Sequence, residues 1–409
     1  MPADLFDKVT KFTTAKEAQN LGIYPFFQPI TNSEGVTATF NGRDVIMLGS
    51  NNYLGLTAHP KVRQAAMDAI AQFGTSCTGS RFLNGTLEFH LELERRLARF
   101  MGTEAALTFT TGYQVNVGVI SSLVQRGDYV IIDKDDHASI VDGCLMAFGE
   151  MKRFTHSDVG SLERILSKLP PDAGKLVVVD GVYSMGGDIA PLPEIIPICK
   201  KYGARIMVDD AHGIGVTGPG GRGTAAHFGM LDQVDLIMGT FSKSFASVGG
   251  YIAGKADVLH YIQHTARSLM FSASLPPANA ATVLACLDLL ESDPTMVERL
   301  WSNANYMRRG LGELGLNIGS SNTPIIPIII GDDLRTVLAW RALADGGVYA
   351  NPVIPPGVPP SQSLLRTSYT ATHTHAHLDT ALKVFADVGE RLDLFTARQE
   401  REKNATASA

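Results

Sequence analysis

The chain has 409 residues, 45% of them hydrophobic and 19% charged, a balance that supplies a large core and excludes extensive disorder. Its 35 lysines and arginines face 41 acids, a net charge of −6 without a long single-sign block, which argues against a nucleic-acid binder because that work needs a basic footprint. The length exceeds the roughly 100–200 residues usual for one domain, so two domains or one large α/β core with an appendage is expected.

Residues 1–45 read as an N-terminal arm. The stretch from Met1 to Lys8 carries charge where a secretory leader needs an unbroken apolar run. The apolar run Ile325 to Ile330 is short and broken by Pro327, well below the ~18 residues of a spanning helix. Neither export by that route nor a transmembrane segment is expected. Cys77, Cys144, Cys199 and Cys286 form no CxxC pair and no dense framework, and read as reduced core thiols of a cytoplasmic protein.

Residues 46–275 read as a large domain. Short β-rich runs recur there with helical stretches between them: Ala106-Leu-Thr-Phe-Thr, Tyr129-Val-Ile-Ile, Lys175-Leu-Val-Val-Val, Arg205-Ile-Met-Val and Val234-Asp-Leu-Ile-Met. Runs that are apolar on both faces are strands of a buried parallel sheet. Between the third and fourth, Leu192 to Gly203 reads as a helix whose closing lysines and glycine mark its end. The alternation predicts a doubly wound α/β domain with a mostly parallel central sheet. Several strands end in polar or small residues: Thr110-Thr-Gly, Asp133, Asp180-Gly, Asp209-Asp and Gly239-Thr. Ligands of open α/β sheets bind at carboxyl strand ends, so one site is expected to collect these residues.

After Ser274-Leu-Pro-Pro the texture changes, and residues 276–397 read as a smaller α+β domain. It has helical periodicity over 280–291 and 295–314, a few short strands, a Pro-rich loop from Asn351 to Pro360, and a last amphipathic helix from about His377 to Leu394. The polar segment 398–409 has too few apolar residues to pack and reads as a frayed tail.

Four places could carry chemistry. Lys243 lies just past a predicted buried strand, where desolvation would lower its pKa and let its amine form a Schiff base. Alone it also reads as a snorkelling surface lysine; the hydroxyls of Thr240, Ser242 and Ser244 beside it suit phosphate oxygens. Asp209-Asp-Ala-His212 ends the preceding strand, where a carboxylate can pair with a protonated ring nitrogen and the histidine with a neighbouring substituent, or where the aspartate simply caps a helix. His137 follows another strand and could stack on a flat cofactor, act as an acid or base, or cap the next helix. Thr110-Thr-Gly-Tyr opens a helix whose amides form an anion site, and Gly112 lets a phosphate approach the main chain.

Phosphate donors, an acid for a pyridinium, a stacking histidine and a Schiff-base lysine describe pyridoxal phosphate. The chain resembles the α-oxoamine synthases, fold type I pyridoxal-phosphate enzymes that join an amino acid to an acyl thioester with loss of carbon dioxide. The resemblance runs over roughly residues 40 to 395. It is carried by Ser50-Asn-Asn-Tyr-Leu-Gly-Leu, Gly79-Ser-Arg-Phe-Leu-Asn-Gly-Thr, Thr111-Gly-Tyr, His137-Ala-Ser-Ile, Gly181-Val-Tyr-Ser-Met, Asp209-Asp-Ala-His, Gly239-Thr-Phe-Ser-Lys and Leu365-Arg-Thr-Ser-Tyr.

By that resemblance 46–275 is the cofactor domain and Lys243 the Schiff-base lysine. Asp209 holds the pyridine nitrogen, His212 and Ser184 approach the phenolic oxygen, and His137 stacks on the ring. Gly112, Tyr113, Thr240 and Ser242 would hold the phosphate, and Arg366 would receive the amino-acid carboxylate with its guanidinium fork. Asn51, Asn52 and Tyr53 would line the substrate end. The family is homodimeric with shared sites, so Ser272 and Ser274 would come from the other subunit.

Within the family, the runs around Lys243, Gly79 to Thr86 and His137 are most similar to the bacterial serine palmitoyltransferases. Asp209-Asp-Ala-His-Gly-Ile-Gly-Val is similar to the 8-amino-7-oxononanoate synthases, and some motifs also suit the glycine C-acetyltransferases. The expected reaction is condensation of an amino acid, serine favoured, with a coenzyme A or acyl-carrier-protein thioester. An aminotransferase or lyase of the same fold is the alternative; a non-catalytic subunit would commonly lack Lys243. Two further stretches carry other readings. Gly213 to Gly223 invites a dinucleotide site but contains Pro219 and lacks the strand, GxGxxG and helix order. His373, His375 and His377 resemble a metal clamp, yet their spacing at a helix start does not put them on one face, and no metal is expected.

Overall fold

The computed structural model describes residues 4–395; the predicted tail at 398–409 lies outside them. Three strands near the start, β1 (Ile30–Glu34), β2 (Thr37–Phe40) and β3 (Arg43–Met47), form an antiparallel ribbon. The seven-stranded central sheet follows: β4 (Ala105–Phe109), β5 (Tyr129–Asp133), β6 (Glu150–Phe154), β7 (Lys175–Asp180), β8 (Arg205–Asp209), β9 (Leu236–Thr240) and β10 (Gly250–Gly254), in the order β4-β10-β9-β8-β7-β5-β6. Neighbours from β9 to β6 are parallel, and β10 runs antiparallel to both β4 and β9. This is the fold type I architecture, with α/β layering around a mostly parallel sheet.

Alternation of side chains explains why the strands are apolar throughout. Leu176 and Val178 of β7 enter a core with Met207, while Val177 and Val179 enter the opposite core with Ile206 and Val208. Both faces are thus covered by helices. Two strands lacked the sequence signature for physical reasons. β6 is an edge strand with Glu150, Lys152 and Arg153 on it, and β10 reads Gly-Tyr-Ile-Ala-Gly, bounded by glycines that resemble a turn. The helix after β7 spans Leu192–Lys201 despite Pro197, and the chain leaves it through Gly203 at φ +65°, a conformation that favours glycine.

Later come β11 (Ile325–Gly331), β12 (Val348–Tyr349), β13 (Asn351–Val353) and β14 (Ser363–Ser368). β12 extends the first ribbon parallel to β3, and β11-β14-β13 form an antiparallel sheet. The Pro-rich stretch therefore begins as a strand rather than a loop. β13 is at the sheet edge, where Pro352 need not supply a ladder N–H. Helices Thr295–Glu313, Asp333–Asp345 and His375–Arg391 flank these elements, whereas Pro277–Ser292 packs against helices Pro60–Phe73 and Glu88–Met101 in the core of the larger domain. One core joins Phe40, Val45 and Leu48 with Met307, Leu343, Leu365 and Phe385, so the ribbon packs with the last hundred residues. Cys144, Cys199 and Cys286 are buried thiols, but Cys77 is half-exposed in the 74–86 segment and is no core residue.

Candidate active site

Parallel strands deliver their carboxyl ends to one edge, and that edge holds a cavity of about 300 Å³. Thr111 and Gly112 after β4, His137 after β5, Asp180 of β7, Asp209 and His212 at β8, and Thr240, Ser242 and Lys243 at β9 all line it. Asp133 does not; it is buried beneath the edge and faces His156. Ser244 also turns away, donating to the Ile214 carbonyl at 2.8 Å.

The orienting bonds are continuous. Asn116 Nδ2 donates to Asp209 Oδ2 at 2.6 Å and to Ser139 Oγ at 2.8 Å, and Ala211 N donates to Asp209 Oδ1 at 3.0 Å. Ser139 N donates to His137 Nδ1 at 3.2 Å, and Ser139 Oγ lies 2.7 Å from the same nitrogen, so that ring is held as the Nε2–H tautomer. Burial lowers the His137 pKa, nearby Asp209 opposes this, and Lys243 lowers it further. Burial first, then the charges of Lys243 and Arg366, hold His212 well below the usual imidazole range. Its Nδ1 pairs with Tyr53 Oη at 2.8 Å, and Arg366 Nη2 reaches the same phenol at 3.5 Å. Burial likewise brings Lys243 down to about 8, against the opposing pull of Asp209 and Asp180.

The anion cradle lies across the cavity. Gly112 begins helix Gly112–Leu123, capped by Thr111, whose hydroxyl accepts from Gln114 N at 3.1 Å. A Cβ at Gly112 would lie 2.8 Å from Thr240 Oγ1, so a side chain there is excluded. Thr240 Oγ1 donates to the Gly249 carbonyl and is 3.0 Å from Ser242 Oγ. Tyr113 lines the rim with its hydroxyl on Asp142.

Other expected residues lie beside the cavity rather than in it. Arg366, buried on β14, donates from Nε to the Ser184 carbonyl at 2.6 Å, and Ser184 lines a neighbouring groove of about 1220 Å³ together with His137. Asn52 Nδ2 faces Thr57 at 2.8 Å, and Asn51 is 3.4 Å from Tyr53 Oη. Ser272 accepts from Gln114 at 3.0 Å and Ser274 donates to the Gly79 carbonyl at 2.8 Å; neither lines the cavity of its own chain. Asp180, Asn116 and Ser139 are additional members. Asp180 was signalled by its strand-end place, whereas Asn116 showed only as a polar residue one turn into an apolar helix.

The Gly213–Gly223 stretch wraps a carboxylate instead of a nucleotide. Cβ atoms at Gly213 and Gly223 would fall 1.8 and 2.0 Å from Asp210 oxygens, and burial brings that acid up to about 7 although Thr224 donates to it twice. His373 and His377 accept the N–H groups of Thr370 and Thr374, closing the turn and start of the last helix.

The donor set fits pyridoxal phosphate: an amine of lowered pKa, a fixed carboxylate, an imidazole, and a hydroxyl and amide cradle no side chain fills. Asp180 Oδ1, buried without a protein partner, belongs to the same wall.

Comparison with known proteins bears on this constellation. The profile of the family described as aminotransferase class I and II matches residues 43–385. The chain is 46% identical over 390 residues to a serine palmitoyltransferase of Sphingobacterium spiritivorum, covering 95% of this chain and 98% of that one. It is 40% identical over 380 residues to an 8-amino-7-oxononanoate synthase of Thermoanaerobacter pseudethanolicus, covering 93% and 96%. A solved structure described as SPT with PLP internal aldimine superposes with a TM-score of 0.93 at 39% identity, covering 96% of this chain and 100% of that one.

Proposed function

This chain belongs to the aminotransferase class I and II family, and we propose that within it the protein condenses L-serine with a long-chain acyl thioester, releasing carbon dioxide and thiol. It is a pyridoxal-phosphate-dependent acyltransferase. The observation that carries this reading is the gathering of Lys243, Asp209 and His137 around one cavity in a chain so like a serine palmitoyltransferase along its whole length.

When bound, the cofactor supplies an electron sink for the α-carbon of the amino acid. Lys243 would hold its aldehyde carbon, and with a pKa of about 8 the freed amine can both take and return a proton at the α-carbon near neutral pH. Asp209, locked by Asn116 and Ala211, would keep the ring nitrogen protonated. His137, neutral and fixed through Ser139, would cover the ring face, and His212, with Nδ1 on Tyr53, would offer Nε2 to the phenolic oxygen. Gly112, Thr240 and Ser242, with Tyr113 at the rim, would hold the phosphate. Arg366, anchored on Ser184, would take the amino-acid carboxylate, with Tyr53 beside it and Asn51 nearby.

A homodimer with shared sites is part of the proposal. Ser274 binds Gly79 through both N and Oγ, Ser80 bridges Ala273, and the joined segments expose Phe82, Leu83 and Phe271, an apolar surface suited to a second copy. Ser272 and Ser274 would approach the partner's site from there. A cytoplasmic location fits the four free thiols. Among the described residues no helix is long and apolar enough to cross a membrane.

The test is thiol release from serine, alanine and glycine, each crossed with palmitoyl, pimeloyl and acetyl thioesters of coenzyme A and of acyl-carrier protein. Serine with palmitoyl thioester should give the highest kcat/KM. A clear preference for alanine with pimeloyl, or glycine with acetyl, would move the substrate assignment; amino-acid turnover without thiol release would point to a transaminase or lyase.

A further inference from the structure

Outside the cavity wall, His156 sits between two carboxylates. Its Nδ1 is 3.0 Å from Asp133 Oδ1 at the end of β5, and its Nε2 is 3.0 Å from Asp188 Oδ2 in the turn after β7. Asp135 Oδ2 is 3.8 Å from Nδ1, and the Tyr183 ring packs edge-on at 4.4 Å between centroids. Lys134 shares the groove wall. With a carboxylate oxygen opposite each ring nitrogen, both nitrogens donate and the ring is a cation. The bonds to Asp133 and Asp188 outweigh burial and bring its pKa up to about 10.

The two ends of this clamp differ. Asp133 is buried and already fixed by the N–H groups of Asp135 at 2.9 Å and Ser157 at 2.8 Å. Asp188 belongs to a tight turn, with Tyr183 N on its carbonyl at 3.0 Å and Gly187 N on the Tyr183 carbonyl at 2.9 Å. That turn carries Ser184, whose carbonyl receives Arg366 Nε. Thr323 Oγ1 donates to the Gly187 carbonyl at 2.8 Å from the small-sheet side. The turn is therefore held to the central sheet by His156 and to the small sheet by Arg366 and Thr323.

We propose that His156 is a positioning residue for the amino-acid substrate. By anchoring Asp188 to Asp133 it fixes the Ser184 carbonyl, and that carbonyl sets the plane in which the Arg366 guanidinium meets a carboxylate. The inference rests on the reading of Arg366 as the carboxylate receptor. A ring with only a packing role would affect stability, whereas a positioning ring affects amino-acid affinity selectively.

The experiment uses the cofactor-loaded dimer for kinetics and cofactor-free protein for titration, with His156→Gln and Asp188→Asn beside the parent. Serine KM should rise about tenfold or more in His156→Gln, the scale on which a misplaced positioning group acts, with kcat within about threefold. Serine binding without thioester, followed by the change in cofactor absorbance, should weaken by the same factor. In the cofactor-free protein, NMR of labelled histidine should show His156 charged until about pH 10 in the parent and titrating lower in Asp188→Asn. The ratio of that variant's serine affinity to the parent's should then fall as pH rises from 7 to 9, the parent serving as control for the titration of serine's own amine.

Unchanged serine binding in folded His156→Gln overturns the proposal, as does a loss confined to kcat. Should His156→Gln not fold, Asp188→Asn decides alone, and a flat affinity ratio there overturns it. If the parent releases no thiol with any pair, the proposed reaction is wrong, while the binding and NMR arms still judge the clamp.

Discussion

The cavity lysine can be tested as a titration. Loss of hydration on burial lowers the Lys243 pKa, Asp209 and Asp180 offset part of the fall, Arg366 adds to it, and the amine comes to about 8 instead of 10.5. At pH 7 an amine of pKa 10.5 is neutral about once in 3,000 molecules and one of pKa 8 about once in eleven, so the fold enriches the nucleophilic form roughly 300-fold. Cofactor-free protein exposed to trace acetic anhydride at a series of pH values, with Lys243 acetylation read by peptide mass spectrometry, should show a midpoint near 8. Asp209→Asn removes the neighbouring acid that most favours the ammonium and should move the midpoint down. The same displacement weakens the fold. Below pH 8 both states carry the proton and the folded chain bears the full cost of burying it; between pH 8 and 10.5 only the unfolded chain binds it, so the cost fades as pH rises. Lys243→Met should therefore stabilise the cofactor-free protein at pH 7 by up to about 3 kcal/mol, at 1.36 kcal/mol per tenfold step, and by much less above pH 10.5. A parent midpoint above 10, or an upward move in Asp209→Asn, would refute the reasoning.

Three further outcomes are expected. Asp209→Asn should slow solvent exchange of the serine α-proton by at least ~10²-fold, measured by NMR; exchange within threefold of the parent would remove Asp209 from its role. Gly112→Ala places a Cβ 2.8 Å from Thr240 Oγ1 and should raise the cofactor Kd at least about tenfold by fluorescence titration, since the cradle must open before a phosphate can seat; an unchanged Kd would show the cradle is not used. Mixing inactive Lys243→Ala with inactive Ser272→Asp should restore about a quarter of parental activity after subunit exchange, because half the dimers are hybrids with one intact site; no recovery despite proven exchange would show that each subunit builds its site alone.

How far the sequence could be read follows from where the information sits. β7 and β8 announce themselves because a strand covered on both faces has no room for polar residues, and their ends at Asp180 and Asp209 follow directly. Since parallel strands end on one edge, Lys243, Asp209, His137 and Gly112 could be assembled from local cues alone. Contacts between distant segments could not. Arg366 meets Ser184 across 182 positions, and that meeting depends on the register that sets Arg366 opposite Pro327 between β14 and β11. Asn116 meets Asp209 across 93 positions from one side of a helix. The motif around Asn51 and Asn52 points to the substrate end by resemblance alone, and the turn there sends Asn52 towards Thr57. The His156 clamp was invisible for the same reason, since Asp133, His156 and Asp188 lie on three different connections.

Burial brings Lys243 to about 8, and the distribution of charge along the strand edge limits how far the neighbouring acids return it. Asp133, Asp136, Asp180 and Asp209 are all buried there, and four ionised carboxylates would favour the ammonium strongly. Each has a different environment. Asp133 is neutralised by the His156 cation, and its own pKa is lowered by that bond and by two backbone N–H groups despite burial. Asp136 accepts the N–H groups of Asp133 and Asp180, both at 2.9 Å, yet burial and the neighbouring acids hold it well above the usual carboxylate range. Asp180 is raised in the same way, by burial first and Asp209 second. Asp209 is gripped instead by Asn116 and Ala211. The edge therefore concentrates acids without concentrating charge. With Asp136 and Asp180 raised and Asp133 paired to a cation, the attraction that would return Lys243 to an ordinary, fully protonated lysine is kept small.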